Sequence, residues 1–149
     1  MIRAATPADI ETIVGMGREF HSAAGWGDIA DYDDTTTALT LRNMIDSEAM
    51  VLLVAEQDGE VVGMAGGGMA PLYFNHAHRI GQEIFYWINP EARNGIGKHL
   101  LDELENTARA AGCQSWIMVA LDNVRPEVTG RLYRMRGYRP AERNWIRKL

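Results

Sequence analysis

The chain has 149 residues, 46% of them apolar, and carries 15 basic against 20 acidic side chains, for a net charge of −5. That length suits one domain, residues 1–149, with a core large enough to fold without staples. The acidic balance argues against nucleic acid as a general partner, and a single cysteine, Cys113, excludes an internal disulfide and fits a reducing compartment. There is no basic-then-apolar leader and no run of about 18 apolar residues, so the expectation is a cytoplasmic protein with no membrane partner.

In chain order, Ile2 to Ala5 reads as a short strand. Thr6-Pro7-Ala8-Asp9 is a helix start, with Thr as the cap, Pro at the first helical position and Asp near the positive end of the dipole. Ile10, Ile13, Val14, Gly17 and Phe20 then form a buried stripe. Residues 21 to 33 read as an irregular, mobile loop around Trp26, and Asp33 or Asp34 caps a second helix with Leu41, Met44 and Ile45 inward. Met50 to Glu56 and Val61 to Met69 are apolar strands joined at Asp58-Gly59. Gly66-Gly67-Gly68 marks either a bulge or a close backbone approach.

Residues 71 to 81 read as a connecting loop and Gln82 to Ile88 as the next strand. A helix with apolar positions 96, 100, 101, 104, 108 and 111 follows, closed by Gly112. Ser115 to Leu121 is a further strand, Pro126 opens a last helix ending at Gly137, and Tyr138 to Leu149 reads as one or two strands. The order β-α-α-β-β-β-α-β-α-β predicts an α/β fold, a mixed central sheet with helices on both faces.

The chemistry-bearing stretch is Ile88-Asn89-Pro90-Glu91-Ala92-Arg93-Asn94-Gly95-Ile96-Gly97-Lys98. An apolar strand runs through a Pro turn into a basic, Gly-bearing loop that opens directly into a helix. A helix N-terminus has unpaired N–H groups and partial positive charge. Glycines at 95 and 97 leave the backbone open, and Arg93 and Lys98 add full charges, which together suit a di-anion such as a pyrophosphate.

These residues resemble the acyl-CoA-binding motif of the GNAT N-acetyltransferases. Gly130-Arg131-Leu132-Tyr133-Arg134-Met135-Arg136-Gly137-Tyr138 resembles that family's Leu-Tyr-x-x-x-Gly-Phe/Tyr segment, and Ile2 to Ile10 its opening strand and helix cap. The family pattern Gln/Arg-x-x-Gly-x-Gly/Ala differs here: Arg93 precedes Gly95 by two residues and Ala92 stands at the first basic position, so the loop is one residue short. The resemblance implies acetyl-CoA as co-substrate, with its pyrophosphate held by backbone from Asn94 through Gly95, Ile96 and Gly97 to Lys98, helped by Arg93. It implies splayed strands on either side of the motif helix, and strand backbone at Tyr86, Trp87 and Ile88 polarising the thioester.

The resemblance further implies that Tyr133 protonates the leaving thiolate; phenol and thiol pKa values lie within roughly two units. By residue pattern alone Tyr133 is a half-buried helical aromatic. Glu83, a carboxylate in an apolar strand, either faces solvent or sits in the slot, where the resemblance implies a general base. Asn123 resembles the asparagine after the family's fifth strand, although it lies ten residues before Tyr133 rather than seven. His76 and His78 lack a third ligand at useful spacing, so no metal is expected. Asp28, Asp31, Asp33 and Asp34 beside Trp26 form either a solvated cluster or a region that favours a cationic acceptor. The resulting expectation is an N-acetyltransferase acting on a primary amine of a small molecule or peptide by direct attack. Oligomeric state is not readable from the residues, although exposed C-terminal strands often pair in the family it resembles, which leaves a homodimer open. A non-catalytic acyl-CoA-binding module on the same fold is the alternative.

Overall fold

The structure, a computed structural model, describes residues 1–149. Its strands are β1 (Ile2–Ala4), β2 (Met50–Gln57), β3 (Glu60–Leu72), β4 (Asn75–Ile88) and β5 (Ser115–Ile117), and its helices α1 (Ile10–Ala24), α2 (Asp34–Asp46), α3 (Ile96–Ala110) and α4 (Pro126–Met135). The strands form one sheet in the order β1-β2-β3-β4-β5. Its first three pairings are antiparallel and β4–β5 is parallel. This is the mixed α/β architecture expected from the pattern.

Local chemistry fixes the joints. Asp58 and Gly59 both take positive φ, 54° and 84°, the backbone of a two-residue turn whose twist matches the flanking strands. At the start of α1, Thr6 N–H donates to Asp9 Oδ2 at 2.7 Å. Asp9 also receives both terminal nitrogens of Arg3, at 2.8 and 2.9 Å. The Arg3 guanidinium holds the Asp9 carboxyl well below the usual carboxylate range. Asp33 caps α2 by accepting from Thr36 N–H at 2.6 Å.

The sheet separates two cores. Ile13, Leu41 and Met44 of α1 and α2 pack on Leu52, Val54, Met64 and Trp87 on one face. Leu100, Leu101 and Leu104 of α3, with Tyr133 of α4, pack on Val51, Leu53, Ala65 and Ile88 on the other. Strand alternation assigns each residue to its face.

Two glycines there serve a single indole. A Cβ on Gly67 would stand 2.7 Å from the Trp116 ring, and one on Gly81 2.2 Å from it. Close backbone approach is therefore the role of Gly67, and the bulge lies on the opposite strand. Phe85 pairs with Gly66 and Glu83 with Gly67, leaving Ile84 as the extra residue.

Three sequence expectations are corrected. The loop read at 71–81 is a tight hairpin: β3 and β4 continue outward, with Leu72 opposite Asn75. Its tip projects from the core, so Tyr73 and Phe74 are exposed and no burial pattern marks the strands. The strand read at Ser115 to Leu121 stops at Ile117. The strands read over Tyr138 to Leu149 are absent, and residues 139–149 lie exposed. Trp145 and Ile146 stand side by side between charged residues and have no neighbouring strand to pair with.

Gly81→Ala should lower stability by about 1–3 kcal/mol, because the methyl must displace the Trp116 ring. Gly15→Ala, inside α1 with nothing within 4 Å of the new Cβ, should raise it by about 0.4–1 kcal/mol. Urea denaturation reads both, and a neutral Gly81→Ala would contradict this packing.

Candidate active site

The β4–β5 ladder runs from Ile80–Ser115 to Gln82–Ile117 and then stops. The next residue on β4, Glu83, is buried, with 6% of its surface exposed. Its Oε2 accepts the Val119 N–H at 3.0 Å. A side chain thus takes a donor that a continuing strand would bond through backbone, and the chain after Ile117 no longer pairs with β4. The result is a gap between the strands beyond Gln82.

The bulge decides which way Glu83 points. Phe85 and Trp87 pack on the α1–α2 face. Strict alternation would put Glu83 beside them; the extra residue Ile84 turns it to the α3–α4 face. Burial pushes the Glu83 carboxyl up to about 7, opposed by the Val119 N–H.

Tyr133 shares the same peptide unit. Its hydroxyl donates to Val119 O at 3.0 Å, and 8% of the residue is exposed. Burial, and next the Glu83 carboxylate, hold its pKa well above the ordinary phenol range. Tyr86 donates its hydroxyl to Gly97 O at 2.6 Å and is pushed up to about 12, again by burial first.

Just past the end of β4, Asn89 N–H bonds to Val62 O at 2.9 Å. Antiparallel alternation therefore turns the Trp87 N–H toward β3 and those of Tyr86 and Ile88 toward the gap. Of the three residues singled out there, Trp87 has its amide in the sheet and its side chain in the core.

The loop before α3 is narrower in use than expected. Asn94 N–H is taken by Ala92 O at 2.8 Å and Lys98 N–H by Gly95 O at 3.0 Å. The amides of Gly95, Ile96 and Gly97 have no acceptor within the chain. Gly95 sits at φ +109° with nothing within 4 Å of where a Cβ would stand, so the open approach is at Gly95. Gly97 answers a different need: a Cβ there would lie 2.7 Å from the Tyr86 hydroxyl. Arg93 folds back, donating Nε to Ile88 O at 3.0 Å with its guanidinium 5.0 Å from the Trp87 ring centroid. Lys98 is exposed. The donors present, three free amides at the start of a 15-residue helix beside two cations, fit a pyrophosphate.

Other candidates find structural partners. His78 Nε2 lies 2.9 Å from Ser115 Oγ, and no group of three or more His, Cys, Asp or Glu is gathered where it could hold a metal. Asn123 donates to Ala24 O at 3.1 Å, closing the end of α1. In the acidic stretch Asp33 is a cap and Asp34 pairs with Arg18. The stretch read as a mobile loop is partly helical, since α1 extends to Ala24 and Trp26–Asp28 forms a 3-10 turn.

The Acetyltransferase (GNAT) family model matches residues 14–138. The chain belongs to the GNAT acetyltransferase family. Its fold is shared with a ribosomal-protein-alanine N-acetyltransferase from Brucella melitensis biovar Abortus 2308, at 19% identity, TM-score 0.74, over 100% of this chain and 99% of that one. A predicted acetyltransferase with acetyl-CoA from Clostridium acetobutylicum is similar at 23% identity, TM-score 0.76, over 99% and 94%. AAC(6')-Iy in complex with the bisubstrate analogue CoA-S-monomethyl-acetylneamine is similar at 14% identity, TM-score 0.79, over 100% and 97%. This GNAT chain is thus an acyl-CoA-dependent acetyltransferase by family. No helix in it is long and apolar enough to cross a membrane.

Sequence reasoning missed Val119, whose N–H and C=O join Glu83 to Tyr133. It carries only backbone atoms to the site, so no residue-type signal exists for it.

The Glu83 pKa near 7 lies above its ordinary value of 4.5. Between those values the folded chain holds a proton that the unfolded chain has lost, so stability falls as pH rises through the window, by roughly 3 kcal/mol in all. Glu83→Gln keeps an acceptor for Val119 and does not ionise. It should be more stable than the parent chain above pH 8, with the advantage vanishing below about pH 4.5. Urea titrations across that range test this, and a pH-independent difference would refute the burial argument.

Proposed function

We propose that the chain is a single-domain, cytoplasmic N-acetyltransferase that moves an acetyl group from acetyl-CoA to a primary amine of a small molecule or peptide by direct attack. The observation that carries this reading is the gap beyond Gln82, with a buried carboxylate inside it and three unpaired amides at the start of α3 beside it. The free, buried thiol of Cys113 suits a reducing compartment.

Acetyl-CoA supplies an acetyl group already activated as a thioester, and the chemistry asks for no metal. The amides of Gly95, Ile96 and Gly97 hold the pyrophosphate, with Lys98 and the terminal nitrogens of Arg93 adding charge. The N–H groups of Tyr86 and Ile88 face the gap and polarise the carbonyl. Glu83, poised near neutrality, accepts the amine proton as the nitrogen attacks, directly or through one water. Nitrogen–carbon bond formation accompanies carbon–sulfur cleavage, and Tyr133 gives its proton to the departing sulfur.

The order of proton movements follows from the electrostatics. An ionised Glu83 opposes loss of the Tyr133 proton. Once Glu83 has taken the amine proton its share of that opposition ends, while the larger share from burial remains, and Tyr133 gives up its proton more readily than before as the thiolate leaves. Tyr133 then recovers a proton from Glu83 or solvent. The products are the N-acetylated amine and free CoA thiol.

Lys98→Glu should weaken CoA binding at least tenfold, about 1.4 kcal/mol. Calorimetry checks this, and an unchanged Kd would remove the phosphate assignment. Gly97→Asp is a poorer test because it also strikes Tyr86.

With Glu83 as base, kcat/KM should rise with pH through about 7 and level off above it. Glu83→Gln should abolish that rise and lower kcat by roughly 10²-fold or more. Tyr133→Phe should lower kcat by roughly 10²-fold at unchanged CoA affinity. Full turnover in Tyr133→Phe, under conditions where chemistry limits the rate, would leave Tyr133 as a packing residue.

A further inference from the structure

On the α1–α2 face of the sheet lies a cavity of about 320 Å³. Its walls include Phe20, Trp26, Tyr32, Met64, Ile84 and Phe85. The bulge sets Ile84 beside Phe85 on this face, while Glu83, one residue earlier, points through to the other. Ile84 and Phe85 thus place one wall of the cavity on β4, next in sequence to Glu83.

The lining has no carboxylate and no free cation; His21, Thr37 and Gly17 stand among eight hydrophobic residues, of which Tyr32 carries a hydroxyl. The Tyr32 hydroxyl is committed to Val14 O at 2.9 Å, and His21 Nε2 lies 2.8 Å from Ala30 O. A Cβ on Gly17 would stand 2.3 Å from the Tyr32 hydroxyl, so a bare glycine admits that bond. These contacts fold the Trp26 turn over the cavity as an apolar wall.

Of the nearby aspartates, Asp33 and Asp34 are engaged in the cap and the Arg18 pair, and none of the four lines the cavity. The acidic stretch expected to draw a cationic acceptor is thus outside the space the acceptor's body would fill. A second ammonium group or a set of sugar hydroxyls would lose its water there without gaining partners. The volume is near the lower end, about 300 Å³, of ligand pockets in general, room for one ring rather than several.

The geometry points to an acceptor that is a small primary amine bearing one uncharged aryl or branched-alkyl group, with that group in the cavity and the nitrogen at the gap. This rests on the acetyl-transfer reading above and uses its chemistry unchanged: nitrogen–carbon bond formation, carbon–sulfur cleavage, the amine proton to Glu83 and a proton to sulfur from Tyr133.

The test compares 2-phenylethylamine with 1,4-diaminobutane at one pH, by thiol release from acetyl-CoA and by calorimetric binding of each amine to the CoA-loaded protein. The aryl amine should show a kcat/KM at least 30-fold higher and the tighter Kd. Ile84→Glu places a carboxylate at the cavity rim, where the parent side chain is 54% exposed and the fold can accept it. It should cost 2-phenylethylamine at least tenfold and improve the diamine. Equal use of both amines, preference for the diamine, or an Ile84→Glu variant with unaltered preference would overturn the inference while leaving acetyl transfer standing. Loss of the acetyl-transfer reading shows up separately, as failure of the parent chain to bind CoA.

Discussion

The bond from Val119 N–H to the buried Glu83 carboxylate organises this molecule. A parallel pair of strands has every reason to continue zipping. Here the zipper ends at Gln82–Ile117 because the next donor on the far side is captured by a side chain rather than a backbone carbonyl. Burial of that carboxyl without an opposing cation moves its proton affinity to the neutral range, and the Val119 N–H restrains the rise. Separation of the strands and tuning of the acid are one event.

The sheet presents two different faces because its central strand is thin. Gly66 and Gly67 on β3 leave room for Phe85 on one side and Trp116 on the other. Large side chains on the neighbouring strands then supply the walls. The α3 face presents free amides and cations; the α1–α2 face presents aromatic carbon. The two faces of the sheet therefore differ sharply in polarity.

Much of this was legible in the residues. The Asp58-Gly59 turn, the Asp33 cap and the start of α3 at Ile96 follow from local chemistry acting over a few residues, which sequence displays directly. The site was legible only where function coincides with such signals. Gly95 and Gly97 look alike as letters, yet one opens the backbone and the other makes room for a tyrosine hydroxyl eleven positions away. Arg93 reads as a free cation, and only the strand it folds onto shows its Nε bonded to Ile88 O. The outer hairpin and the C-terminal segment failed for a common reason. Burial periodicity reports contact with a core, and neither segment has one beneath it.

The single extra residue at Ile84 has a consequence for reading any chain of this kind. Positions 83, 85 and 87 share a parity, yet the first faces away from the other two. The placement of the carboxylate is therefore specified by a count of residues as much as by identity. A gap-free alignment that carries Glu83 onto a relative with a regular strand would match it to a side chain on the opposite face. Correspondence at this site is a matter of insertion and deletion, and substitution tables do not see it.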